Sequence, residues 1–157
     1  MYRTIETSMW SDPKIKSITP TGKLLFLYFV TNSHAHVSGI YYLPNVLAQH
    51  ETGIENGSYD TLCHTLSGLD LVLFDNEHEV VWVKNMFRHQ GCGKKTLISA
   101  SMHLKSLHKS KLCVQFAKKY PDVLKIENGY RIDTLSSGHL MLVSQEQEQE
   151  QEQEQFS

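Results

Sequence analysis

Nine cations with no acid among them occupy one block of the chain. Lys84, Arg88, Lys94, Lys95, Lys105, Lys109, Lys111, Lys118 and Lys119 all lie between Val80 and Pro121. Their natural chemistry is to neutralise a polyanion. Nucleic-acid phosphates bind such clusters by releasing condensed counterions, and interleaved carboxylates would cancel the effect. A solvated surface without a partner mixes the two signs for solubility. The formal net charge of −2 hides the block. Residues 1–79 carry four Lys/Arg against nine Asp/Glu, and residues 122–157 carry two against eight. Asymmetry of that size points to a local anionic partner. Lys84, Arg88, Lys94, Lys95, Lys105, Lys109 and Lys111 are the candidate phosphate contacts.

A second set could read base edges. Over residues 56–69, Tyr59, Leu62, Leu66 and Leu69 recur at spacings of three and four, which predicts one buried helical face. Asp60, Thr61, His64 and Thr65 lie away from it. Thr and His can bond to base edges or phosphates, and Asp60 could accept from cytosine N4. This helix has no Arg or Lys, so guanine readout from it is not expected.

Other chemistries have less support. His89-x2-Cys92 with His108-x4-Cys113 is a legal zinc set, but structural zinc sites favour paired CxxC knuckles. Three cysteines without a CxxC suit a reduced, cytoplasmic setting, and Cys63 and Cys113 read as small core residues. His34-x-His36 reads as a connecting loop with no carboxylate nearby. There is no phosphate-binding glycine loop, GxSxG or HExxH. No enzymatic activity, metal or cofactor is therefore expected. Trp10 and Trp82 are expected in the core.

The elements that must position these residues follow from local signals. Asp12-Pro13 and Thr19-Pro20 each read as an N-cap followed by proline at the first helical position. They open a short turn, 13–17, and a helix, 20–31. The second is apolar on nearly every side and should be the central buried helix. Ile40-Tyr41-Tyr42 is a short strand by composition. Leu43-Pro44 opens another helix, with Gly53 as its stop. After the 56–69 helix come strands at 71–74 and 79–83, joined by Asp75-Asn76-Glu77-His78 as a hairpin loop. Two short helices on a long one, closed by a small hairpin, is the winged-helix plan, a helix-turn-helix variant. Its wing is acidic at the tip, with Asp75, Glu77 and Glu79, whereas a wing that grips phosphate carries Lys or Arg. Contact of this wing with DNA or with protein stays open.

Beyond the wing, 96–107 and 112–120 read as amphipathic helices with basic outer faces. Tyr120-Pro121 ends the second. Gln145 to Gln155 alternates Gln and Glu, with nothing to bury. Such a tail reads as a solvated, solubilising segment, with competition against DNA for the basic block as the other role. The longest apolar run, Leu24–Val30, is seven residues and cannot span a bilayer. No signal peptide is apparent.

Several linked blocks carry a resemblance. MWSDPKIKSITPTGKLLFLYFVTNSHAHVSGIYYLP, LAQHETG, GLDLVLFD and EVVWVKNMFRHQ, in this order, are similar to the N-terminal domain of phage replication initiators. These are replisome organisers with a DnaD-like winged helix. The resemblance covers residues 1–95 and extends more weakly to about 135. It implies binding of double-stranded DNA at a phage replication origin in the host cytoplasm, alone or as a homo-oligomer. Host helicase or helicase loader is the further partner it implies.

The expected molecule is α+β. Residues 1–92 form a winged-helix DNA-binding domain and 93–121 a basic helical extension. Residues 122–143 form an irregular linker and 144–157 a disordered Gln/Glu tail. The alternatives are a winged-helix transcriptional regulator and a protein-interaction module of the phage replisome.

Overall fold

The computed structural model describes residues 2–90, 93–107, 109–125, 130–134 and 140–144, with Lys125 and the last two stretches as backbone only. The chain divides into two compact units, Met1–Cys92 and Gly93–Ser157.

The first unit is built by its caps. Asp12 Oδ1 accepts from Lys14 N at 2.8 Å and opens α1, Pro13–Ser17. Thr19 Oγ1 accepts from Gly22 N at 3.1 Å and opens α2, Pro20–Thr31. Each cap satisfies a backbone donor that the first helical turn cannot. Strand β1, Ile40–Tyr42, leads to α3, Asn45–Thr52. Gly53 ends α3 at φ +70°, a left-handed position that glycine takes without strain. Helix α4, Asn56–Gly68, is followed by β2, Val72–Asp75, β3, Val80–Val83, and a short α5, Met86–Gln90.

The three strands form an antiparallel sheet in the order β1-β3-β2. Its register sets Ile40 against Trp82 on one side and Leu73 against Trp82 on the other. All four residues of β3 are buried, as befits the central strand. This α+β arrangement is compatible with a winged helix. The core gathers Ile15, Leu25, Phe29, Tyr41, Tyr59, Leu66 and Val81. Buried Tyr41 needs a partner for its hydroxyl. It donates to Phe29 O at 2.6 Å and accepts from Asn32 Nδ2 at 2.8 Å, which ties the end of α2 to β1.

Several expectations are corrected. Trp10 is 54% exposed, because it lies on a 3-10 turn, Thr7–Ser11, that buries nothing. Helix α2 is not covered all round: Leu25, Phe29 and Val30 are buried, but Leu24 is 51% exposed. The unit has too few elements to wrap its longest apolar helix. Cys63 is half-buried and packs against the core from its margin, while Cys113 is fully buried as expected. Helix α5 was not foreseen. Its Gln90 amide pairs with the Thr4 backbone, donating to O at 2.7 Å and accepting from N at 3.4 Å.

In the second unit, α6, Lys94–Ser106, buries Ala100, Ser101 and Leu104. Helix α7, Lys111–Lys119, buries Leu112, Cys113, Val114, Phe116 and Ala117. Ser110 Oγ caps α7 by accepting from Leu112 N at 3.3 Å. The irregular linker expected over 122–143 is ordered in part. A 3-10 turn spans Pro121–Lys125, and β4, Tyr130–Thr134, pairs antiparallel with β5, Leu140–Ser144. The aromatic and β-branched residues of YRIDT and the aliphatic LMLV suit strands. The Gln/Glu repeat, 145–155, lies outside the described residues. No described helix is long and apolar enough to cross a membrane.

Candidate nucleic-acid interface

The basic block sorts into three kinds of position. Lys84 is engaged within the first unit. Its Nζ lies 3.5 Å from Asp70 Oδ1 and 4.2 Å from the centre of the Trp82 ring, and its side chain is 17% exposed. Arg88 is exposed on α5. The remaining lysines fall in the second unit.

There the helix ends separate them. Lys105 lies in the last turn of α6, and Lys118 and Lys119 lie in the last turn of α7. A cation in a last turn complements the helix dipole and needs no ligand to explain it. Lys94, Lys95 and Lys111 are in first turns, where the dipole opposes a positive charge. Neither first turn contains an acid to compensate. All three side chains are exposed, as is Lys109 between the helices. At each of these helix starts, the positive end of the helix dipole and the ammonium groups present one sign of charge. An external anion would relieve both.

Helix α4 exposes Asp60, Thr61, His64 and Thr65, the four residues expected to face outward. Asp60 and His64 also line an open polar cleft of about 390 Å³, together with Asn45, Tyr59, Cys63, Ser67, Phe74 and Asn76. Its walls are α4, the start of α3 and the β2–β3 hairpin. Tyr59 hydroxyl donates to Asn45 Oδ1 at 3.1 Å, and Asn45 Nδ2 donates to Asn76 Oδ1 at 3.4 Å. These two bonds link the buried side of α4 to the hairpin tip. Burial pushes the Cys63 thiol up to about 12, so it stays protonated at neutral pH.

The hairpin tip is closed by its own acid. Asp75 is buried, accepts from His78 N at 3.3 Å, and pairs with His78 Nδ1 at 3.0 Å. Glu79 takes a positive φ of 53° and accepts from the Tyr42 hydroxyl at 2.8 Å. Asp75, Glu77 and His78 could together offer ligand atoms to a cation. The Asp75–His78 pairing already explains the group as loop closure.

The loop histidines do have a carboxylate, contrary to expectation: His34 Nε2 is 4.0 Å from Glu51 Oε1. Cys92 and His108, half of the legal zinc set, lie outside the described residues. Ser67 shares the outward face of α4 with Asp60 and His64, as its spacing predicts, but sequence reasoning did not select it as a site residue. It missed Asn45 and Asn76, which come from other elements, so no local spacing marks them. It also missed one signal that was readable: residues 24–83 contain no Lys or Arg at all. No family model, curated protein or solved structure matches the chain.

Proposed function

We propose that this chain binds double-stranded DNA as a non-enzymatic replication initiator, a replisome organiser acting at a phage origin in the host cytoplasm. The observation that carries the reading is the placement of Lys94, Lys95 and Lys111 in acid-free first helical turns. Each such placement costs its helix roughly 0.3–1 kcal/mol. That cost is offset when a phosphate occupies the helix start, and phosphate contacts supply most non-specific affinity for DNA. The strand order and the hairpin after α4 support a winged helix. The phage origin, the host helicase or loader and a second copy as partners rest on the sequence resemblance.

In this reading the second unit grips phosphate. Helix α4 contributes little affinity, since no cation stands on it, on α3 or on the hairpin. The test is fluorescence anisotropy of a labelled duplex from the replication region of the chain's own genome, beside a scrambled duplex. Five or six phosphate contacts should lose about two to three orders of magnitude in affinity between roughly 50 and 200 mM salt. Preference for the native duplex at both salts is the expected result. Absence of binding to either duplex would overturn the proposal.

A further inference from the structure

Residues 24–83 carry seven acids and no Lys or Arg. They include α3, α4 and the hairpin, the parts that wall the polar cleft. Hydrogen-bond direction sharpens what that charge implies. A hydroxyl has one proton and two lone pairs. Tyr59 donates its proton to Asn45, and Ser67 Oγ donates to Val72 O at 3.1 Å. On the outer face, Thr61 Oγ1 donates to Gly57 O at 3.0 Å and Thr65 Oγ1 donates to Thr61 O at 3.0 Å. Four hydroxyl protons are thus used within the fold, and the exposed Thr61 and Thr65 hydroxyls keep lone pairs that face outward. Asp60 adds an exposed carboxylate that only accepts when ionised. His64 is the one exposed ring that can donate from this face.

The surface is therefore anionic and rich in acceptors. Phosphate is also anionic and only accepts, which makes it a poor match. Guanidinium and ammonium groups are cationic and only donate. We infer that the cleft between α4 and the β2–β3 hairpin docks Lys or Arg side chains of a basic polypeptide segment on a partner protein. A long stem would lie along Tyr59 and Phe74, and the charged head would reach Asp60 and the Asn76 carbonyl oxygen. This goes beyond the DNA reading and does not depend on it.

The test uses the isotope-labelled full chain, titrated with a short alternating Arg–Ala peptide and separately with duplex DNA. The peptide should shift the amide signals of Asp60, Cys63, His64 and Asn76. Asp60→Asn should weaken the peptide about tenfold, the loss of one charge-assisted hydrogen bond. Shifts confined to the Gln/Glu repeat would overturn the inference, because the tail glutamates would then be the binding site. Equal affinity of Asp60→Asn and the parent would also overturn it. Cleft shifts with duplex DNA but not with the peptide would return α4 to base reading. Failure of the DNA proposal is separate, since it is read from Lys94 and Lys95.

Discussion

The acidic stretch 24–83 and the basic stretch 80–121 are mirror images in composition and opposites in local energetics. In the first, many acids have structural work. Glu51 accepts from the Tyr28 hydroxyl at 2.9 Å, Glu79 from the Tyr42 hydroxyl, Asp75 pairs with His78 and Asp70 with Lys84. Only part of that charge, Asp60 above all, is left for a partner. In the second, Lys105, Lys118 and Lys119 support their helices, while Lys94, Lys95 and Lys111 oppose theirs. A charge count alone cannot separate support from function. The sign of each residue's local contribution offers a test, because in the proposed reading the lysines that oppose their own helix starts are the ones that meet phosphate.

The largest effect is expected from breaking the frame of the acidic side. Gly39 sits at φ +80° beside β1, and a Cβ there would lie 2.8 Å from both Met86 Cβ and Val83 O. Backbone strain and overpacking would act together in Gly39→Ala, at about 3 kcal/mol or more. Chemical denaturation should show the loss. A variant as stable as the parent would mean that the sheet edge can yield, and that the cleft walls are less fixed than the register implies.

Next in size is a paired reversal within the basic side. Lys94→Glu with Lys95→Glu should weaken all duplexes alike and flatten the log–log salt slope by about 1.8. Lys118→Glu with Lys119→Glu should change the slope little and mainly destabilise α7, since those lysines complement its dipole. Anisotropy at several salt concentrations compares the two doubles. Equal slopes would erase the distinction between supporting and opposing lysines.

The sequence made much of this frame legible, for identifiable reasons. Caps at Asp12 and Thr19, the left-handed stop at Gly53 and the β-branched runs are local signals, so α1, α2, α3 and β1 to β3 fall where expected to within a residue, whereas β4 and β5 stand where a linker is expected. Exposure of Trp10 and Leu24 is a tertiary outcome: it depends on how many neighbours a small unit can supply. The cleft was illegible because Asn45 and Asn76 meet the outward face of α4 only in the folded unit. Charge segregation was visible, but the opposing lysines emerged only once helix starts were fixed at Lys94 and Lys111.

A third effect separates the two regions by pH. Burial raises the tyrosines Tyr28, Tyr41 and Tyr59 above their ordinary range, and pushes Cys63 from 9.0 up to about 12. In the unfolded chain the Cys63 thiol ionises near its ordinary value, while the folded one holds its proton. The resulting stabilisation is complete below pH 9.0 and is lost as pH rises toward about 12. Urea midpoints should fall over that range, and Cys63→Ala should flatten the fall. An unchanged slope in the variant would assign the alkaline loss to the tyrosines.

The smallest effect tests the frame of the basic side. Ser110 is buried, and its hydroxyl accepts from Leu112 N at the start of α7. Ser110→Ala should cost about 1 kcal/mol, as loss of an N-cap does. It should also weaken duplex binding slightly, because Lys111 follows the cap directly and depends on that turn for its position. Ser110→Asp supplies an acceptor with a negative charge, which relieves Lys111 and opposes phosphate. It should therefore restore thermal stability while lowering duplex affinity further. Recovery of both together would show that Lys111 serves α7 rather than DNA, and would move the anion site to Lys94 and Lys95 alone.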